Sequence, residues 1–223
     1  NNVTHDYSGY ENDGTLRTGG EVVSSKLVSG KFGKALEFDG VDDYVEVPHD
    51  TSLNVNYITL AFWLKLESYP PAEHFIFCRR AGDILITVDS DGRPRIYLTR
   101  EGESRWDSLS LPYTIPLNEW KFIALKFDGR YVNFSVNFNE YVYTHDFGDS
   151  KSLESSSNPI YLMSSEVPDR FLNGTIDEVR IYNRALSEAE IKMLYNSGKA
   201  RYYPEETNIT LSENNIGDED VEY

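Results

Sequence analysis

The side chains that could do chemistry gather in a few short stretches. Near the start, Asp6, Ser8, Asn12 and Asp13 place oxygen donors around Gly9 and Gly14. Hard cations such as calcium take several oxygens from carboxylates, amides and backbone carbonyls, and the glycines leave carbonyls open to such an ion. The same residues read equally as side-chain turn formers. A second stretch, residues 99–107, is polar and carries Trp106 beside Arg105 and Asp107, with Arg100, Glu101 and Glu103 nearby. An aromatic flanked by hydrogen-bonding groups has the composition of a sugar-stacking or partner contact. Arg95 and Tyr97 upstream, and Tyr113 downstream, are the candidates to complete that patch. The four histidines, His5, His49, His74 and His145, sit at turns or strand ends with no Ser or Cys partner motif, which argues against nucleophilic catalysis. Cys78, the single cysteine, lies in the apolar run HFIFCRR and reads as a buried, inert thiol.

Strands must position these residues. Short alternating stretches at 34–38 and 44–47 are joined by a turn at Asp39-Gly40. Residues 58–66 form a longer strand with Ile58, Leu60, Phe62, Leu64 and Leu66 on one face and Trp63 on the other. Further strands are expected at 75–79, at 84–88 turning through residues 89–92 into 95–98, at 120–127, 131–136, 141–144 and 160–163. The closing stretch, residues 173–198, reads NGTIDEVRIYNRALSEAEIKMLYNSG and combines a strand, a turn and one helix. If extended throughout, its strand puts Thr175, Asp177, Val179 and Ile181 on one face and Ile176, Glu178, Arg180 and Tyr182 on the other. Both faces carry large apolar groups, so this strand is expected to be central and covered on both sides. Ser187 opens the helix, with Glu190 three residues on as its capping-box partner, and residues 196–198 are expected to stop it. Many short antiparallel strands must hide their edges, which predicts an all-β fold: a two-sheet antiparallel β-sandwich (jelly roll) with one short C-terminal helix.

The stretch GTIDEVRIYNRALSEAEI resembles the closing signature of the laminin-G-like jelly-roll domains of the concanavalin A-like lectin/glucanase superfamily. GKFGKALEFDGVDDYVEVP, ITLAFWLKL and NEWKFIALKFDG agree with it in order, so the resemblance runs from about residue 6 to 198. It implies that the chain's two ends are neighbours, which makes Asp6, Asn12 and Asp177 candidate ligands of a structural calcium. Because glucanases share the fold, it also raises glycoside hydrolysis. A retaining site needs two carboxyl groups roughly 5–5.5 Å apart, and the glucanase signature alternates its acids along one strand. Here Asp177 and Glu178 are adjacent, and Thr175, Val179, Ile176 and Arg180, two positions away from them, are not acidic. The resemblance thus fails where catalysis needs it. The expectation is a non-catalytic recognition or adhesion module for a glycan or surface protein. The alternatives are a glycan hydrolase or lyase with displaced acids, and a structural spacer domain of a larger surface protein.

The 223 residues suffice for one sizeable β domain, expected at 1–200, with an acidic tail or linker at 201–223 that has no Lys or Arg after Arg201. The net charge of −16 argues against nucleic acid and anionic membrane surfaces as partners. No run reaches transmembrane length. The opening Asn1-Asn2 reads as a mature product or an excised domain of a larger protein. Sequons at Asn2, Asn133, Asn173 and Asn208 lean the expectation toward an extracellular or cell-surface setting.

Overall fold

Alternation builds the sheets. In the strand Tyr131–Val136, Val132, Phe134 and Val136 are buried while Tyr131, Asn133 and Ser135 are half-buried on the other face. The computed structural model describes residues 3–23, 26–79, 84–165 and 170–202. In chain order the strands are β1 (Val3–Thr4), β2 (Gly14–Thr18), β3 (Glu21–Val22), β4 (Leu27–Ser29), β5 (Lys34–Asp39), β6 (Asp43–Val47), β7 (Ile58–Leu66) and β8 (His74–Arg79). They continue as β9 (Ile84–Val88), β10 (Pro94–Leu98), β11 (Asp107–Ser110), β12 (Lys121–Phe127), β13 (Tyr131–Val136), β14 (Tyr141–Asp146), β15 (Ile160–Leu162) and β16 (Asn173–Tyr182). The helix α1 (Glu188–Tyr202) follows. A nine-stranded sheet runs β1-β2-β6-β15-β8-β9-β10-β11, with β3 also on β2. A seven-stranded sheet runs β14-β13-β12-β7-β16-β5-β4. Every pairing between these strands is antiparallel, as the sandwich expectation requires.

The principal core lies between the sheets, where Phe38, Leu60, Leu64, Phe77, Ile86, Phe134 and Leu172 are fully or almost fully buried. A second, smaller core lies on the far side of the seven-stranded sheet. There Trp63, Phe122, Phe32, Leu186 and Ile191 meet, with Tyr195 stacked on Trp63 at 5.6 Å and 19° between planes. Trp63 therefore faces away from Phe62 and Leu64, as its strand parity predicts, and α1 covers it. The helix opens as expected: Ser187 N and Oγ donate to Glu190 Oε2 at 2.8 Å, and Glu190 N donates to Ser187 Oγ at 3.3 Å. Arg184 adds an ion pair to Glu190 and, with Ser187, pulls that carboxyl down to about 2. The helix does not stop at residues 196–198 but runs to Tyr202. A glycine inside a helix costs only about 1 kcal/mol, and Lys199, Ala200 and Arg201 beyond it favour helix. The expected acidic tail falls mostly on residues 203–223, outside the described residues.

β16 departs from simple alternation. Asp177 pairs with Trp63, yet the next paired residue, Arg180, sits opposite Ala61, so β16 spends three residues where β7 uses two. Glu178 carries a φ of 51°, the left-handed conformation of a bulge. Beyond it the faces exchange. Val179 and Ile181 join Ile176 in the principal core, while Tyr182 joins the second core on the side of Asp177. The extended reading, which grouped Val179 and Ile181 with Asp177, is corrected here. A bulge lets three apolar side chains reach one core that strict period-two geometry would have split.

Because Trp63 is 3% exposed and joins sheet to helix, Trp63→Ala is expected to destabilise the fold by about 3–5 kcal/mol. Urea unfolding followed by far-UV circular dichroism measures it, and a loss below about 1 kcal/mol would show that the helix does not depend on this contact.

Candidate binding face

α1 occupies the outer face of the seven-stranded sheet, and among the described residues no α-helix lies on the outer face of the nine-stranded one. Strand register determines what that second face presents. Tyr161 is aligned with Glu46 on one side and Cys78 on the other, Cys78 with Leu85, Leu85 with Tyr97, and Tyr97 with Ser108. A parallel row holds Phe75, Thr87, Arg95 and Ser110. Ile96 and Leu98, between and beyond Arg95 and Tyr97, point into the principal core.

One part of the face is aromatic. The Tyr44 ring lies 6.0 Å from Tyr161 and 6.2 Å from Phe171, both tilted, and burial lifts the Tyr44 hydroxyl above the ordinary phenol range. Arg170 spreads over Phe75 at 5.8 Å and donates from Nη1 to the Glu73 carbonyl at 3.0 Å. His74 Nδ1 stands 2.8 Å from the Phe171 carbonyl; a carbonyl only accepts, so this nitrogen carries the proton. The other part is a polar hub on Glu73. Its Oε2 accepts from Arg95 Nη1 at 3.0 Å and from the Tyr97 hydroxyl at 2.9 Å, while Oε1 accepts from Thr87 Oγ1. Arg95 Nε holds Ser110 Oγ at 2.9 Å. Tyr161 and Tyr97 stand three strand spacings apart, about 14 Å.

The structure thus brings two of the four expected binding residues, Arg95 and Tyr97, into one network. Trp106 and Arg105 lie immediately before β11, Trp106 half-buried and Arg105 exposed. Their segment is clamped by Arg100, whose guanidinium pairs with Glu103 at 2.7 Å, Asp107 at 3.3 Å and Asp149 at 2.6 Å, and lies 4.1 Å over Phe147. Burial, reinforced by Glu103, pushes the Asp107 carboxyl up. Tyr113 falls elsewhere, its ring tilted against Tyr141 at 4.9 Å and its hydroxyl donating to Glu140. Tyr44, Phe75, Tyr161 and Glu73 were not singled out from the sequence. The available signal was an aromatic between two core aliphatics, as in Ile160-Tyr161-Leu162, but strand order was needed to place those rings together.

The expected metal ligands do not converge. Asp6 Oδ1 accepts from Ser8 N at 2.8 Å, and its Oδ2 accepts from Ser8 Oγ at 2.6 Å and Asn12 N at 3.0 Å. Burial pushes this carboxyl up, but those donors outweigh it and hold it below its usual range. Asn12 donates to Ser52 Oγ at 3.0 Å. Asp177 belongs to the other sheet and faces the helix side, accepting from Phe32 N at 2.9 Å and Glu178 N at 2.8 Å. Its carboxyl is raised by burial, and Glu178 is paired with Arg180. The β1–β2 loop carrying Asp6 and Asn12 belongs to the nine-stranded sheet, so the principal core, with facing sheets about 10 Å apart, intervenes before Asp177. Calcium ligands sit about 2.3–2.6 Å from their ion, so these three residues do not fit one ion. Among the described residues, the carboxylates that do converge are Asp39, Asp42 and Asp43, with oxygens within 4.8 Å of one another. The Lys26 ammonium already pairs with Asp39 and with the fully buried Asp43.

The fold and its faces can be set beside known proteins. A family model described as the concanavalin A-like lectin/glucanases superfamily matches residues 39–192. No curated protein matches the sequence. Among solved structures, the binding domain of Paraclostridial Mosquitocidal Protein 1 is similar with a TM-score of 0.71 and 17% identity, over 86% of this chain and 49% of that one. Domain 4 of AbnA, a GH43 extracellular arabinanase from Geobacillus stearothermophilus, solved in complex with arabinotriose, is similar with a TM-score of 0.66 and 22% identity, over 82% of this chain and 87% of that one. The ligand binding domain of botulinum neurotoxin serotype D, solved in complex with N-acetylneuraminic acid, has a TM-score of 0.65 and 17% identity, over 86% of this chain and 48% of that one. The chain spans about half the length of the toxin domains it matches. Identities this low establish the shared fold.

If Asp6 organises its turn and holds no ion, Asp6→Ala is expected to lower stability by about 1 kcal/mol, equally in calcium and in excess chelator. Thermal unfolding in the two buffers checks this, and a loss seen only with calcium would restore the ligand reading.

Proposed function

The chain belongs to the concanavalin A-like lectin/glucanases superfamily, and on that premise we propose that it is a non-catalytic glycan-binding module that uses the outer face of its nine-stranded sheet. The observation that carries this reading is the pairing, on one face, of the Tyr44–Tyr161–Phe171 ring cluster with the Glu73–Arg95–Tyr97 hub. Rings supply stacking surface for a sugar, and a fixed set of donors and acceptors orients its hydroxyls. The likeness to a whole domain solved with arabinotriose supports the same reading. Glu46 and Glu73, the carboxylates of this face identified above, are already ion-paired with Arg17 and Arg95, an arrangement suited to holding a ligand. The module is read as part of a larger exported protein, in which it would hold that protein against a glycan surface. This reading assigns no shared calcium ion to Asp6, Asn12 and Asp177, because the loop of the first two and the strand of the third belong to different sheets.

Titration calorimetry with arabinotriose and a panel of linear oligosaccharides tests the proposal. Tyr161→Ala and Tyr97→Ala should each weaken binding about fivefold, corresponding to about 1 kcal/mol of lost stacking or orientation, without shifting the unfolding midpoint by more than a few degrees. Undiminished binding by both variants would remove the site from this face, and release of reducing ends by the native chain would return it to the enzymes.

A further inference from the structure

The guanidinium groups on the outer face of the nine-stranded sheet have specific surroundings. Arg17 Nε stands 2.6 Å from Glu46 Oε2. Arg95 is committed twice over: Nη1 to Glu73 and to the Tyr97 hydroxyl, both at 3.0 Å, and Nε to Ser110. Arg170 Cζ lies 5.8 Å over the Phe75 ring, and its Nη1 donates to the Glu73 carbonyl at 3.0 Å. Neither Arg17 nor Arg95 therefore presents the free two-pronged fork that captures a carboxylate. Glu73 stands at the centre of the hub with one acceptor position, on Oε1, not taken by these three donors, and the whole chain carries −16.

Building on the glycan-binding reading above, we propose that this face selects neutral oligosaccharides and rejects those bearing a carboxylate, with Glu73 as the discriminating residue. A sugar hydroxyl both donates and accepts, so it can donate to Glu73 or to the Tyr97 oxygen while accepting from neighbouring N–H groups. A carboxylate brings acceptors only. To reach Arg95 it must approach the Glu73 carboxylate, and two like charges within a few ångströms repel strongly at a partly dehydrated surface. Spacing adds a second preference. Tyr161 and Tyr97 are about 14 Å apart by strand count, so one sugar ring cannot meet both, and an oligosaccharide is favoured over a monosaccharide.

The test is an array of linear pentose and hexose oligosaccharides, arabinotriose among them, each printed beside a uronate or sialylated counterpart. It is probed with the native chain and with Glu73→Gln, whose folding is verified by its unfolding midpoint. The native chain is expected to bind neutral members at least about tenfold more tightly than their acidic counterparts. Glu73→Gln keeps the hydrogen-bonding shape and removes the charge, and it should narrow that ratio about tenfold. A measurement independent of the variant is salt dependence: native binding to the best neutral member should change less than about twofold between 0.02 and 0.5 M salt, because no net charge is neutralised on binding. Acidic members bound as tightly as neutral ones, or an unchanged ratio in a folded Glu73→Gln, would overturn the selectivity proposal and leave glycan binding standing. A steep loss with salt would do the same. An array with no bound member at all would overturn the glycan-binding reading and this inference with it.

Discussion

Stacking of Tyr195 on Trp63 couples α1 to the seven-stranded sheet, and much else follows from that contact. A two-sheet sandwich has two inner faces, which must meet, and two outer faces, which need not be alike. Here one outer face carries Ala61, Trp63, Phe122 and Ala124, too apolar to leave in water, and α1 with Phe32 closes over it. β7 thereby becomes a strand buried on both sides, while its neighbour β16 is buried from Gly174 to Asp177 and half-buried from Glu178 to Tyr182. The helix occupies one outer face, and the outer face of the nine-stranded sheet is the one proposed for recognition.

The bulge in β16 serves the same economy of faces. Ile176, Val179 and Ile181 are all apolar, but their spacing does not keep parity along a regular strand. Inserting one residue at Glu178 shifts the later part of the strand by one position, so the aliphatics all reach the principal core and Tyr182 turns to the helix side. Asp177, just before the bulge, accepts N–H groups from the Phe32 loop and from Glu178. A carboxylate so engaged is a structural staple. This explains an acidic pair in the closing strand of a chain whose fold is shared by hydrolases. It also replaces the argument from alternation, which assumed an extended backbone at Glu178.

The outer face of the nine-stranded sheet carries an organised polar network. Glu73, Thr87, Arg95, Tyr97 and Ser110 hold one another through hydrogen bonds between four elements of the chain, the approach to β8 and the strands β9, β10 and β11. Side chains fixed before a ligand arrives lose little further freedom on binding. Arg100 does for the segment carrying Trp106 what Glu73 does for the sheet: it anchors a loop through three carboxylates and an aromatic ring.

Local pattern alone determined the strands with clean alternation, the outward turn of Trp63, the Ser187–Glu190 cap and the burial of Cys78, because each depends on residues within a few positions of one another. The many short alternating strands pointed to a sandwich, and the motif resemblance agreed with it. Tertiary structure decided the rest. Short strands such as β4 and β11 are held by their neighbours' hydrogen bonds and carry little pattern of their own. The bulge answers to a core that no local window contains. Tyr44 and Tyr161 come from residues far apart in sequence and meet only through the order β6-β15, while Asp6 and Asp177, which the resemblance drew together, are separated by the sheet that each belongs to. Sequence gives the direction of a side chain relative to its own strand; which strand lies beside it, and which face a helix leaves bare, are settled only when distant segments pack.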